Sequence, residues 1–269
     1  MKSLRITIKM SFWPNGYRCC VFLSFDYDSS SATMWRTPLD VVSQSRGRYA
    51  PKVAIPRVLD LLDKLDIKAT FFTPGWTIDN YPDSVEEIRS RGHEIGGHGY
   101  AHERMTEISY EAEESVFERM MVSMERIGVK PQGYRAPYWL VSDRTIMHLK
   151  RLGFKYSSNF MDDDMPYMLK YRGEETGLVE LPVEWILDDW PQFDTERRSP
   201  AEVYEIWKPE FEGLYELGRY FCLTCHPQAI GRISRLKMLE KLLSEMQEKK
   251  DVWFATGAEI ADWVKKKLT

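Results

Sequence analysis

Apolar, β-rich runs alternate with amphipathic helical segments along almost the whole chain. Strands are predicted at residues 19–25, 69–72, 93–96, 133–136, 155–158, 178–183, 220–225 and 252–255. Helices are predicted at residues 54–65, 82–91, 110–127, 143–152, 201–217, 235–247 and 258–267. This alternation is typical of parallel βαβ units. Because no glycine-rich phosphate loop follows the first strand, the pattern favours a closed or nearly closed α/β barrel over an open sheet.

The length and charge of the chain narrow its class further. At 269 residues it suits a single barrel, and we expect an N-terminal extension over residues 1–18 followed by one domain over residues 19–269. A net charge of −4 without a basic block argues against nucleic acid as a partner. No run with the length of a signal peptide or a membrane span occurs, so the sequence predicts a cytoplasmic protein that does not enter a membrane.

The first predicted strand ends in two carboxylates, Asp26 and Asp28, which are separated by one tyrosine. Residues two apart in a strand point to the same face, so both side chains leave the C-terminal end of the strand together. Two ionised carboxylates repel each other unless a cation lies between them. The pair therefore indicates either a metal or acid/base site, or a solvated turn.

Polar residues follow other predicted strands too, and barrel enzymes carry their active sites at such strand ends. His98 and His102 follow the third strand, Arg135 the fourth, and His226 the penultimate one. By themselves, His98 and His102 could equally be polar surface residues or core histidines whose hydrogen bonds are satisfied. Their spacing places them on one side of a helical turn, which suits two ligands of one metal ion. With Asp28 they make a two-histidine, one-carboxylate set.

Four ordered motifs across nearly the whole chain resemble those of the polysaccharide deacetylase (NodB-homology) family. They are Asp26-Tyr27-Asp28, His98-Gly99-Tyr100-Ala101-His102, Arg135-Ala136-Pro137-Tyr138-Trp139 and Leu223-Thr224-Cys225-His226-Pro227. Arg46-Gly47-Arg48-Tyr49 resembles the intracellular branch of peptidoglycan-deacetylase-like proteins, metal-free allantoinases and cyclic-imide hydrolases. The resemblance implies a distorted, TIM-barrel-like (β/α)7-8 barrel.

The resemblance also implies a metal centre and a base. Asp28, His98 and His102 would bind a divalent metal, most often Zn²⁺ in this family. The metal would lower the pKa of its bound water and polarise the amide carbonyl. Asp26 would be the general base, and Arg135 would hold it ionised and oriented.

The other implied roles concern the leaving group and the substrate. The backbone N–H of Tyr138 would meet the oxyanion, and His226 would protonate the leaving amine. A carboxylate would orient His226, and two acidic segments could supply it. One segment contains Asp163, and the other contains Asp188 and Asp189. The resemblance and the aromatic content further suggest substrate contacts, and these candidates are Trp139, Trp190, Arg46 and Tyr49. Trp35, Trp76 and Trp185 also lie near strand ends, where they would either pack or stack on a sugar.

Three functions remain in competition at this point. The complete ligand set favours a metal-dependent hydrolase that removes an N-acetyl group from an amino sugar or saccharide. The lack of an export signal favours hydrolysis of a small cyclic amide or ureide, although the metal-free allantoinase pattern lacks the full ligand set. A non-catalytic binding barrel is the third. The branch resemblance implies a homo-oligomer, either a dimer or a tetramer.

Overall fold

The computed structural model describes residues 11–34 and 40–269. The strands in these ranges are β1 (Cys19–Asp26), β2 (Thr70–Thr73), β3 (Glu94–Gly97), β4 (Gly133–Tyr134), β5 (Tyr156–Ser157), β6 (Tyr167–Tyr171), β7 (Glu174–Glu180), β8 (Tyr220–Cys225) and β9 (Val252–Phe254). The α-helices are α1 (Val41–Tyr49), α2 (Ile55–Lys64), α3 (Gly75–Asn80), α4 (Pro82–Ser90), α5 (Tyr110–Arg126), α6 (Asp143–Leu152), α7 (Pro200–Leu217), α8 (Pro227–Ile230), α9 (Ile233–Glu248) and α10 (Gly257–Leu268).

One curled sheet forms the centre of the molecule, in the order β6-β7-β5-β4-β3-β2-β1-β8, and β9 pairs with the first residues of β1. Every neighbouring pair is parallel except the hairpin of β6 and β7. The C-terminal ends of the parallel strands therefore meet at one rim. The distorted α/β barrel predicted from the sequence is confirmed.

Within this architecture the barrel is not fully closed. In the described part of the chain, β8 and β6 are the two ends of the sheet and do not pair with each other. The segment after β7 fills this seam and touches β8 through a single parallel bridge between Asp188 and Thr224.

Several local predictions were wrong. β6 and β7 follow each other without a helix, which breaks the expected strict alternation. The segment after β1, for which no helix was predicted before residue 54, contains α1, whose N-terminus is capped by Asp40 through the backbone N–H groups of Val42 and Ser43. A π-helical segment, Ala50–Ala54, joins α1 to α2.

β1 explains why the rim is polar. All eight of its residues are buried, as expected for a parallel strand covered on both faces. One face packs Val21 and Leu23 against the surrounding helices, whereas Phe22 faces the interior of the barrel. The inward face then becomes polar with Ser24 and Asp26, so the apolar interior ends just below the rim.

The described part of the N-terminal extension packs on the barrel. Trp13 is 2% exposed and lies against Tyr220 and Trp253. Residues 1–10 and 35–39, the latter including Trp35, lie outside the described ranges. Among the described helices, none combines the length and apolar character needed to cross a bilayer.

Candidate metal centre and active site

Three buried side chains, Asp28, His98 and His102, converge beyond the C-terminal ends of β1 and β3. The Asp28 Oδ1 atom lies 3.3 Å from Nε2 of His98 and 3.5 Å from Nε2 of His102. One potential ligand atom from each residue falls within 4.8 Å of the other two. The exposed fractions of the three residues are only 3%, 1% and 6%, so they face a common interior point.

This arrangement fits a small divalent cation. Tetrahedral coordination with bonds of about 2.1 Å separates ligand atoms by about 3.4 Å, which matches the two measured distances. Among the described residues, neither Asp28 Oδ1 nor His98 Nε2 has a hydrogen-bond partner. Buried polar atoms normally have one, and a bound cation would satisfy both atoms.

The protonation states of the ligands suit the same role. His98 Nδ1 lies 2.8 Å from the backbone carbonyl oxygen of Arg135. Because a carbonyl can only accept, Nδ1 donates the proton, and the neutral ring then presents the lone pair of Nε2 to the centre. Burial alone would raise the pKa of Asp28, but the imidazoles of His102, His98 and His226 lower it below its usual range. Asp28 is therefore ionised.

The loop after β1 holds Asp28 in place. The backbone carbonyl of Asp28 accepts hydrogen bonds from the hydroxyls of Ser31, at 2.7 Å, and Thr77, at 2.8 Å. Gly47 of α1 packs against the same loop so closely that a Cβ atom there would lie 2.5 Å from the Cα atom of Ser30. The close contact explains why the Arg-Gly-Arg-Tyr motif carries a glycine at this position.

The two histidines are brought together by a left-handed loop rather than by the helical turn predicted from their spacing. Gly99 and His102 have φ angles of 68° and 64°. The buried carboxylate of Glu103 accepts two backbone N–H groups of this loop, at 2.8 and 2.9 Å. A positive φ is costly for histidine, and the Glu103 contacts hold the loop in that conformation.

Asp26 lies beside the three-residue cluster and pairs with Arg135. The Arg135 Nη1 atom donates to Asp26 Oδ1 at 2.8 Å, while Asp26 Oδ2 lies 3.8 Å from Nε2 of His98. Arg135 is fully buried and also donates to the hydroxyls of Ser24 and Ser158, both at 2.9 Å. The guanidinium therefore fixes the orientation of the Asp26 carboxylate.

His226 approaches the cluster from β8. Its Nε2 atom lies 3.8 Å from Asp28 Oδ2, and its Nδ1 atom donates to Asp189 Oδ1 at 2.7 Å. The same carboxylate oxygen accepts the His226 backbone N–H at 2.9 Å, and Asp188 lies 3.5 Å from Nδ1. Burial alone would lower the pKa of His226, but Asp188, Asp189 and Asp28 raise it well above its ordinary value.

These contacts decide between the two acidic segments that the sequence left open. Asp188 and Asp189 lie beside His226, whereas Asp163 accepts the backbone N–H of Met165 at 2.9 Å within its own turn. The suggestion that Asp163 orients His226 was therefore wrong. The bridge between Asp188 and β8 brings the correct segment across the seam, and sequence spacing does not reveal that closure.

The turn after β4 carries two successive residues in the left-handed region, Tyr138 at φ 57° and Trp139 at φ 54°. The Tyr138 ring packs edge-on against the His102 ring, with centroids 4.6 Å apart. The Arg104 guanidinium also lies over the Tyr138 ring, 4.6 Å from its centroid. Trp139 packs against Trp185 at 4.4 Å. Two successive residues with positive φ beside this cluster make the turn a candidate part of the site.

Of the remaining predicted substrate contacts, the structure places two near His226 and one elsewhere. Trp190 lies 5.4 Å from the His226 ring, and the Arg46 guanidinium stacks over Trp190 at 4.6 Å while it pairs with Asp194. Tyr49 instead donates to the Gly231 carbonyl at 3.1 Å. Its hydroxyl thus ties α1 to the turn after α8.

The sequence analysis overlooked several residues of the site. Ser158 contacts Arg135, and Asn159 accepts the Ala136 backbone N–H at 2.7 Å. Gln228 donates to Asp28 Oδ2 at 3.4 Å. Each follows the end of a parallel strand, so the rule that singled out the histidines would have found them if it had been applied to β5 and to the residues beyond His226.

Comparisons with known proteins bear on this geometry. The family model for polysaccharide deacetylases matches residues 18–157. A peptidoglycan deacetylase from Helicobacter pylori is 34% identical over 254 residues, covering 81% of this chain and 86% of the relative. The chain belongs to the polysaccharide deacetylase family. It is an enzyme, and the sequence-based assignment to this family is confirmed.

Solved structures agree with the assignment. A Mycobacterium smegmatis protein named as a polysaccharide deacetylase superposes with a TM-score of 0.88 at 36% identity, covering 96% of this chain and 94% of that one. The Puue allantoinase superposes with a TM-score of 0.84 over 98% of this chain and 97% of its own, at 21% identity. The second likeness establishes a shared fold only.

Proposed function

We propose that this deacetylase-family enzyme is a metal-dependent hydrolase that removes the N-acetyl group from an amino sugar or saccharide. The observation that carries the proposal is the convergence of Asp28, His98 and His102, with Asp26 and His226 both close to this cluster. An amide hydrolase needs an electrophile, a base for water and an acid for the amine. The three parts of this arrangement offer one group for each role.

Asp28, His98 and His102 would hold the cation, and their two nitrogens and one oxygen suit Zn²⁺. A divalent cation held there supplies a Lewis acid that polarises the amide carbonyl and acidifies water. The Arg135 backbone carbonyl orients one of these ligands, because it accepts the Nδ1–H of His98.

Asp26 is the proposed general base. It is buried and points at the cluster without occupying the position of a ligand, with its Oδ2 atom 3.8 Å from His98 Nε2. Arg135 satisfies its other oxygen, so one carboxylate oxygen is left to take the proton of the attacking water. The fixed ion pair also prevents Asp26 from swinging into the metal position.

His226 is the proposed general acid. Asp189 fixes its Nδ1–H, which directs Nε2 at the cluster. The neighbouring carboxylates keep the imidazole protonated, and protonated Nε2 can donate to the amine as the C–N bond breaks. The backbone N–H of Tyr138 is the proposed oxyanion donor. Trp139, Trp190 and Arg46 are proposed to bind the sugar, with Trp190 and Arg46 stacked beside His226.

A substrate panel with matched chemistry tests the proposal. We expect acetate release from acetylated chito-oligosaccharides, loss of that activity with a chelator, and recovery on addition of Zn²⁺ or Co²⁺. Asp26→Asn should lower kcat by about 10²-fold to 10⁴-fold while the affinity for Zn²⁺ stays unchanged. Hydantoin, succinimide and allantoin are assayed in parallel as substrates for the alternative function, cyclic-amide hydrolysis. Turnover of one of these with no acetate release from any saccharide would reject deacetylation in favour of cyclic-amide hydrolysis.

The assembly and location of the enzyme remain predictions. Light scattering on the full chain is expected to give a homodimer or a homotetramer. Fractionation of cells is expected to place the protein in the cytoplasm.

A further inference from the structure

The peptide unit that joins Arg135 to Ala136 is hydrogen-bonded at both ends. Its carbonyl oxygen, on Arg135, accepts the Nδ1–H of His98 at 2.8 Å. Its N–H, on Ala136, donates to Oδ1 of Asn159 at 2.7 Å. One rigid peptide therefore lies between a proposed metal ligand and a buried amide side chain from another strand end.

We propose that Asn159 is a positioning residue that sets both the orientation of His98 and the conformation of the turn carrying Tyr138. This inference rests on the proposed function for its effect on catalysis. Asn159 itself touches neither the cluster nor Asp26 in the described structure; it acts through the peptide of Arg135 and Ala136.

The turn needs an anchor because it is strained. Tyr138 and Trp139 both have positive φ angles, and such conformations persist only where the surrounding contacts fix them. Ala136 immediately precedes the turn, and its carbonyl accepts the Trp139 N–H at 2.9 Å. Holding the other side of Ala136 through Asn159 therefore fixes the residue from which the turn begins.

Asn159 is itself held in a single orientation. Its Nδ2 donates to the Ser157 hydroxyl at 2.8 Å and to the Tyr134 carbonyl at 3.4 Å, so Oδ1 must face the Ala136 N–H. Its backbone N–H donates to Glu180 Oε1 at 2.6 Å, which also accepts the Phe160 N–H at 3.0 Å. Glu180 is completely buried at the end of β7. Any other rotamer of the Asn159 side chain would therefore break the hydrogen bonds of its amide group.

The two bonds on the peptide reinforce each other. A peptide N–H that donates to a strong acceptor polarises its own carbonyl, which then accepts more strongly. The Asn159 bond thus strengthens the hydrogen bond that His98 Nδ1 donates, and a histidine held in this way is a better and more directional ligand through Nε2.

Three variants separate this role from general stability. Asn159→Ala removes the bond to Ala136, whereas Asn159→Asp keeps an acceptor there. Thr145→Ala is the control, because it breaks an equally buried hydrogen bond, to Glu113 at 2.5 Å, in the α6 capping network. Each variant is measured for the His98 Nδ1–H resonance in metal-free protein, for Zn²⁺ affinity by chelator competition, and for kcat and KM with acetylated chito-oligosaccharide.

We expect Asn159→Ala to shift the His98 Nδ1–H resonance upfield, to weaken Zn²⁺ binding and to lower kcat, the latter two by about 10-fold to 100-fold, with KM unchanged. Asn159→Asp should retain more of each property, and Thr145→Ala should lower only the thermal stability. A wild-type resonance and Zn²⁺ affinity in Asn159→Ala would overturn the inference. So would equal losses in the Ala and Asp variants. If wild type itself lacks hydrolase activity, the proposed function fails, while the first two measurements still decide the role of Asn159.

Discussion

Arg135 and Asp26, 109 positions apart in the chain, form a buried ion pair in which Nη1 lies 2.8 Å from Oδ1. The guanidinium also stacks over the Phe72 ring at 4.3 Å. The pair joins the ends of β4 and β1 across the interior of the barrel. Because both side chains have been removed from water, neither tolerates the loss of the other.

Arg135→Met is therefore expected to lower the free energy of unfolding by about 3–5 kcal/mol, since it leaves the Asp26 carboxylate buried without its cation. Urea denaturation of metal-free protein measures the loss. The double variant Arg135→Met/Asp26→Asn should recover part of it, because a neutral amide needs no counter-charge. A single variant as stable as wild type would contradict the structural role of the pair.

Asp189→Asn should lower kcat at pH 7 by about 10²-fold and move the alkaline limb of the rate profile to lower pH. Asp188, Asp189 and Asp28 raise the pKa of His226, so removing one of these charges lets the imidazole lose its proton at a lower pH. The pH dependence of kcat measures both effects. Asp163→Asn is the matched control, because Asp163 lies in a separate turn, and it should leave the profile unchanged. An unmoved alkaline limb in Asp189→Asn would exclude His226 as the acid that this limb reports.

Gly47→Ala should destabilise the protein by about 1–3 kcal/mol, because the new methyl group meets the backbone of the loop that follows Asp28. Movement of that loop should also weaken Zn²⁺ binding. Gly213→Ala in α7 is the control, since no atom lies within 4 Å of its added Cβ, and it should stabilise the helix by up to about 1 kcal/mol. Thermal unfolding and metal titration distinguish the two. Equal Zn²⁺ affinities in both variants would show that α1 does not set the position of Asp28.

His93 should make stability depend on pH below neutrality. Burial lowers its pKa to about 4, and its Nδ1 accepts the Ala69 N–H at 3.2 Å, which requires the neutral ring. The unfolded chain therefore binds an extra proton between about pH 6.5 and pH 4, so this contribution to stability is present above that window and is lost as pH falls through it. The limiting slope is about 1.4 kcal/mol per pH unit.

The His93→Asn variant keeps an acceptor near the Ala69 N–H but does not titrate. The difference in unfolding free energy between wild type and variant should therefore shrink as pH falls from 7 to 4. Urea denaturation with a chelator present measures it without a contribution from metal binding. A difference that does not change with pH would refute the assignment to His93.

Most parallel elements could be predicted because their signals are local. α6 was predicted at its observed bounds, since Ser142 caps it and Gly153 ends it in the left-handed conformation. The β6–β7 hairpin was missed although Arg172 and Gly173, both at positive φ, form a two-residue turn of the kind that glycine favours. α1 was missed because its segment is largely polar and lacks the apolar periodicity from which the other helices were predicted.

The site could be predicted as far as strand ends determine it. The rim brings Asp26, Asp28, His98 and His226 together because parallel strands end on one side. The positive φ of His102 and the double left-handed turn at Tyr138 depend on tertiary contacts, and no spacing in the sequence encodes them. The same holds for the choice between acidic segments, which depended on a backbone bridge formed only in the folded barrel.

That bridge gives one segment two contacts. The segment that lies across the seam between β6 and β8 through Asp188 is also the segment whose Asp189 accepts the Nδ1–H of His226. One segment thus both completes the barrel wall and orients His226. Opening the wall at this point would therefore also remove the carboxylate that orients the proposed general acid.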